Sequence, residues 1–179
     1  MFQEEVAQLT ADHLRLHLPD EFAVLQARYP DAIKLQFPKA IETANLVGGV
    51  YNAATGNMPA YAVDVISKAF DSVTPDGLWL FAYDGHIAGI VEANDEKSCN
   101  AIIKRHEQAC EEFVRKHQFM HQVESVLGND FSIVGLNFGG AAFSGAEMIE
   151  EKQSRQKWIA GFRIDLVWTT SEAGPDQHG

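Results

Sequence analysis

The chain has 179 residues, is 46% hydrophobic and 22% charged, and carries a formal net charge of −11 with a pI near 5.0. These values describe one globular domain with ample apolar material for a core, and the acidic balance excludes a surface built to neutralise nucleic-acid phosphates. No apolar run reaches the ~18 residues of a membrane span, and the acidic start Phe2-Gln3-Glu4-Glu5-Val6 lacks the basic-then-apolar pattern of a signal peptide, so a cytoplasmic chain is expected.

Phe2, Val6, Leu9, His13 and Leu16 stand at helical spacing and predict a short amphipathic helix over residues 2–17. Pro19-Asp20-Glu21 opens a second short helix running to Tyr29, with its acids at the positive end of the dipole. Ile33, Leu35 and Phe37 alternate with Lys34 and Gln36, a strand pattern that ends at Pro38. Residues 39–58 are rich in small residues and glycine and read as a long binding or packing loop. From Pro59 the pattern turns to strand, with Tyr61, Val63 and Val65 on one face and Ala62, Asp64 and Ile66 on the other.

Asp84-Gly85 lies between Leu78–Tyr83 and His86–Val91, and an Asp-Gly pair between two apolar runs predicts a tight hairpin. Asn94 or Asp95 then caps a long helix on which Cys99, Ile102, Ile103, His106, Cys110, Phe113, Val114, His117 and Met120 keep a 3.6-residue period. That helix is expected to reach Leu127, with Gly128 as its stop and a bend near Met120 to Val123. Asp130 to Phe143 resumes strand character, and Gly139-Gly140 marks a bulge or bend. Ser144 to Gln156 is polar, has no core stripe and reads as a solvated excursion. The closing strand, Lys157–Thr170, puts Trp158, Ala160, Phe162, Ile164, Leu166 and Trp168 on one face, to be packed on the Ile102, Phe113 and Val114 stripe of the long helix.

These elements compose an α+β fold: an antiparallel sheet of about four to six strands covered by one long helix and a short N-terminal helix. Residues 1–170 form the domain and 171–179 a flexible C-terminal tail. Leu78–Tyr83 is apolar on both faces, which calls for cover on both sides, as a neighbouring subunit would give.

No catalytic constellation stands out. His13 and His17, and His117 and His121, are each spaced to share a helix face, but His-Glu-x-x-His is absent and no third ligand falls in a recognisable motif, so no metal is expected. Gly135 to Gly140 lacks the phosphate-binding fingerprint and a following helix, and Phe143-Ser144-Gly145 lacks the nucleophile context. Cys99 and Cys110 are too far apart along one helix to bridge and read as small buried residues of a reducing compartment. No cofactor is expected.

The order of elements, with Pro59-Ala60-Tyr61-Ala62-Val63-Asp64-Val65, the Asp84-Gly85 pair, one long helix and the closing Trp158-Ile159-Ala160-Gly161-Phe162-Arg163-Ile164-Asp165-Leu166, resembles the tail-terminator (tail-completion) proteins of long-tailed bacteriophages. The resemblance implies a small α+β virion protein, assembled in the host cytoplasm, that forms a homohexameric ring, caps the tail tube, ends its polymerisation and joins it to the neck. It implies no enzymatic activity, and contacts with other copies, a tail tube protein and a neck or connector protein, with DNA passing through the lumen unbound. The family has no fixed signature residues. Residues 39–58 and 144–156 read as insertions relative to smaller members, and the candidate partner interface is Trp79, Phe81 and Tyr83 together with Glu147, Glu150, Glu151, Lys152 and Arg155. Three alternatives stay open: another neck or head-completion component, a small hydrolase in which Asp64, Asp165 and a histidine converge, and a small-molecule binding module with residues 39–58 as a lid.

Overall fold

A computed structural model describes residues 2–43, 58–117, 123–124, 130–150 and 156–173, with side chains described outside 118–156 and up to residue 172. In chain order the elements are α1 (Gln3–Arg28), β1 (Ala40–Thr43), β2 (Ala60–Val73), β3 (Leu78–Ala93), α2 (Glu96–Lys116), β4 (Val123–Glu124), β5 (Asp130–Glu150) and β6 (Gln156–Ala173). The strands form one sheet in the order β1-β2-β3-β6-β5-β4, antiparallel except for the parallel β1–β2 pair. Both helices lie on one face, giving the α+β class expected from the sequence.

The core sits between that face and the helices. Ala160, Phe162, Ile164, Leu166 and Trp168 of β6 are buried together with Tyr61, Val63, Tyr83, Ile87 and Val91, against Cys99, Ile103, Phe113 and Val114 of α2. The alternation read in the closing strand is therefore its core face, with Ile102 and Trp158 at the margin. Asp95 caps α2 by accepting from the Ser98 N–H at 2.8 Å.

Several sequence expectations are corrected. The N-terminal helix is not short, and the two expected helices are one: α1 runs unbroken through Pro19. Proline removes one i→i−4 bond, but Val6, Ala11, Leu14, Leu18, Phe22 and Leu25 carry a single buried stripe past it, so both halves dock on the same surface and Pro19 faces solvent. Residues 33–38 are extended without a ladder. The Leu35 N–H donates to Gln26 Oε1 at 2.8 Å and the Gln26 amide donates to the Ile33 carbonyl at 3.3 Å, so a side chain satisfies this backbone, and the strand forms at β1 instead.

The hairpin expected at Asp84-Gly85 is not there. β3 passes straight through it, with Gly85 opposite Val65 on one side and Leu166 on the other. The turn is Thr74-Pro75-Asp76-Gly77, where Gly77 takes φ 85 and its N–H donates to the Thr74 carbonyl at 2.9 Å. Gly85 is glycine for space: a Cβ there would lie 2.0 Å from the Asp64 carbonyl oxygen and 2.8 Å from Trp168 Cζ3.

α2 ends at Lys116, and Val123 pairs with Phe131, which takes this stretch out of any helix reaching Leu127; the expected bend near Met120 lies mostly outside the described residues. β5 runs to Glu150, so residues 144–150 belong to the sheet and not to an excursion, because their backbone is satisfied by residues 156–161 of β6 whatever their side-chain polarity. The bulge at Gly139-Gly140 appears as a register shift between Phe138 and Gly140. β6 continues to Ala173, so Ser171, Glu172 and Ala173 are paired strand rather than tail; residues 174–179, and most of the expected 39–58 loop, lie outside the described residues.

Candidate partner interface

The sheet is longer than the helical layer. α1 begins at Gln3, whose amide donates to the Ile66 carbonyl at 3.1 Å, and beyond that level β2, β3 and β6 run on. Register keeps the overhanging side chains on the core side of the sheet: Lys68 stands opposite Tyr83, Phe70 opposite Phe81 and Val73 opposite Trp79, while Tyr83 itself is paired with the buried Trp168. The core face thus continues into solvent as an aromatic shelf.

Phe70 packs on Trp79 and Phe81 at ring-centroid distances of 5.6 and 5.9 Å, both edge-on. Phe70 is 55% exposed, Val73 51% and Trp79 37%. Lys68 Nζ lies 3.9 Å from the Phe81 ring centre and 3.0 Å from Glu172, which also accepts from the Tyr83 hydroxyl at 3.0 Å. Burial, reinforced by the Glu172 carboxylate, pushes the Tyr83 hydroxyl well above its ordinary value, so it stays a neutral donor.

Two further features lie outside the core. β1 covers β2 only over Ala60–Val63, so from Asp64 to Val73 the outer edge of β2 has no strand partner among the described residues. α1 also carries apolar residues on its outward face: opposite its buried stripe, Leu16, Pro19, Ala23, Val24 and Ala27 are all exposed, Leu16 at 69%, with Asp12 and Asp20 one turn to either side of Leu16.

Of the residues expected at an interface, Trp79 and Phe81 form the shelf and Tyr83 lies buried at its inner end. Glu147 and Glu150 stand in β5 opposite Ile159 and Gln156, at the other end of the sheet, and Glu151, Lys152 and Arg155 are outside the described residues. Sequence reasoning missed Phe70 and Val73, and it put Leu16 and Phe2 on the apolar stripe of the first helix, whereas both are exposed and Leu14 and Leu18 take the buried face. Its available signals were the Pro75-Asp76-Gly77 turn, which closes a longer β2, and apolar residues on the second face of α1.

Histidines stand at two further places, in the sheet and between the helices. Asp64, His86 and Asp165 are consecutive across β2, β3 and β6, the convergence that the hydrolase alternative asked for. His86 is buried with Nδ1 unpartnered, and Asp165 is engaged by Arg163 Nε at 2.6 Å. Burial, then the Arg163 charge, lower the His86 pKa against the pull of the two aspartates, leaving a neutral imidazole sealed in the sheet. His17 stacks between His13 (5.6 Å) and His117 (4.5 Å), joining α1 to the end of α2. Among the described residues no group of three or more His, Cys, Asp or Glu is arranged to hold a metal ion.

No family model matches the chain, and no curated protein does. Among solved structures, a chain of the virion of a native gene transfer agent particle is similar at 16% identity and a TM-score of 0.33, over 88% of this chain and 92% of that one.

Proposed function

We propose that this chain is a structural, non-enzymatic virion protein of a phage tail, one subunit of a homohexameric ring that caps the tail tube, ends its polymerisation and joins it to the neck. The observation that carries the reading is the pair of distinct apolar surfaces, the Phe70/Trp79/Phe81 shelf beside the open β2 edge and the outward stripe of α1 around Leu16. A ring is built from heterologous contacts, which need two different patches on the same subunit, one covering the other in the neighbour. Strand addition at the β2 edge would let that neighbour satisfy the backbone of Asp64–Val73 at the same contact.

The charge fits a conduit. At −11 the chain offers DNA a repelling wall, so the polymer passes through the lumen without specific binding. The order of elements that resembles tail terminators supplies the particular role, and tail tube and neck proteins are the partners it names.

Negative-stain images and light scattering of the purified protein, with and without the tube protein, test this. Six-fold rings with a central hole, and copurification with the tube subunit, are expected. A chain that stays monomeric alone and on the tube refutes the ring, and copurification with the portal in place of the tube moves the protein to the neck.

A further inference from the structure

At the end of the sheet away from the aromatic shelf, the extended run before β1, the β3–α2 junction and the start of β6 line an open cleft of about 360 Å³. Three of its lining residues are lysines, Lys34, Lys39 and Lys157, against a single acid, Glu92. In a chain of net charge −11 this is a local reversal of sign.

Several cations elsewhere in the molecule are held by an acid. Arg105 is held by Asp31, Lys116 by Glu21 and Lys68 by Glu172. Lys34 and Lys39 have no acidic partner among the described residues, and both face the same cleft. Lys157 lies 3.4 Å from both oxygens of Glu92, a loose pair that still leaves the lining with an excess of positive charge. Gln36 and Asn94 add amide groups at the rim, and Met58 and Ile102 add apolar wall. The volume falls in the ~300–1,000 Å³ range of small-molecule sites, which combine an apolar lining with a few convergent polar groups.

We propose that this cleft binds one oxyanion group, a phosphoryl or a carboxylate, carried on an apolar body. Lys34 and Lys39 neutralise the anion as mobile ammonium donors, Gln36 and Asn94 donate to its remaining oxygens, and the wall of Met58 and Ile102 takes the body. The site does not depend on the ring proposal.

Titration of the full chain with inorganic phosphate and with phenyl phosphate, followed by calorimetry and by amide chemical shifts, tests it. Saturable binding is expected, tighter for phenyl phosphate, weakening with added salt, and with shifts at the Gln36 and Asn94 side-chain amides. Lys34→Gln and Lys39→Gln should each weaken it roughly tenfold, the effect of one lost charge-assisted contact, and neither should alter the melting curve, since both side chains are exposed. Sedimentation with and without phenyl phosphate identifies the natural source. Dissociation of an oligomer in the wild type but not in the double variant assigns a carboxylate of a second copy, and an unchanged oligomer assigns a free small molecule. Failure to saturate up to about 10 mM, or equal affinity in a folded double variant, overturns the proposal.

Discussion

Replacing Gly85 by alanine sets a methyl group 2.0 Å from the Asp64 carbonyl oxygen, 2.8 Å from Trp168 Cζ3 and 2.9 Å from the Val65 Cα. Non-bonded heavy atoms prefer roughly 3.5–4.0 Å, so β2 must draw away from β3 by about 1.5 Å at this point. The obstacle is backbone on one side and a fully buried tryptophan on the other, and neither can swing aside. Overpacking of this kind costs roughly 1–3 kcal/mol, and weakening about two ladder hydrogen bonds adds roughly 1 kcal/mol each. The sum, about 3–5 kcal/mol, is a large part of the roughly 5–15 kcal/mol stability of a domain. Gly77→Ala is the internal comparison: at φ 85 in the exposed turn it pays only the left-handed penalty of roughly 1–2 kcal/mol. Urea unfolding of the two variants, at unchanged m-value, measures both. A Gly85→Ala cost equal to or below that of Gly77→Ala would refute the strand register and restore Asp84-Gly85 as a turn.

Acidification should destabilise the fold in a defined window. Burial, and next the charge of His17, hold His13 and His117 below the ordinary imidazole value, and burial holds His106 at about 3. A folded pKa below the unfolded one means that the unfolded chain binds the proton first, so stability is full above about 6.5 and falls as pH drops through it toward the folded values. Urea midpoints at pH 7.5 and 5.0 should therefore separate, and His17→Gln should narrow the gap by removing the central charge of the stack; an unchanged gap argues that the three rings are uncoupled. Leu16→Ser alters an exposed side chain and should leave monomer stability within about 0.5 kcal/mol. Phe70→Ser also loses two edge-on ring contacts and should cost roughly 1–3 kcal/mol. Each alone weakens self-association in light scattering, in denaturant-free buffer where both variants are folded. Assembly that survives both substitutions together would place the ring contact elsewhere on the chain.

Local pattern was enough to read much of this fold. The period-2 run from Trp158 to Trp168 and the 3.6-residue period from Cys99 to Val114 each bury the face they predict, because a strand or helix with one strongly apolar side has few other ways to remove it from water. Asp95 as a cap and Gly139-Gly140 as a bulge were legible for the same reason, being settled within a few residues. The candidate interface was only partly legible. Trp79 and Phe81 stood out as apolar residues on a strand needing a second cover, but their exposure depends on where the helices stop above the sheet, which is a property of how layers dock.

The sequence by itself determined the inward faces of β6 and α2, where one side of the element is strongly apolar; on α1 it did not, since Leu16 of the expected stripe is exposed and Leu14 and Leu18 are buried in its place. Only the tertiary structure decided how far each element runs and what each glycine is for. Pro19 and Asp84-Gly85 carry strong local signals for a break, and both are overridden: at Pro19 by one buried stripe holding two helical halves on a common surface, at Gly85 by the close approach of Asp64 and Trp168 that only a residue without Cβ allows. The true turn at Asp76-Gly77 bears the same dipeptide as Gly85's neighbourhood. What separates them is the strand packed on either side of Gly85, long-range contact that a short window of sequence does not contain.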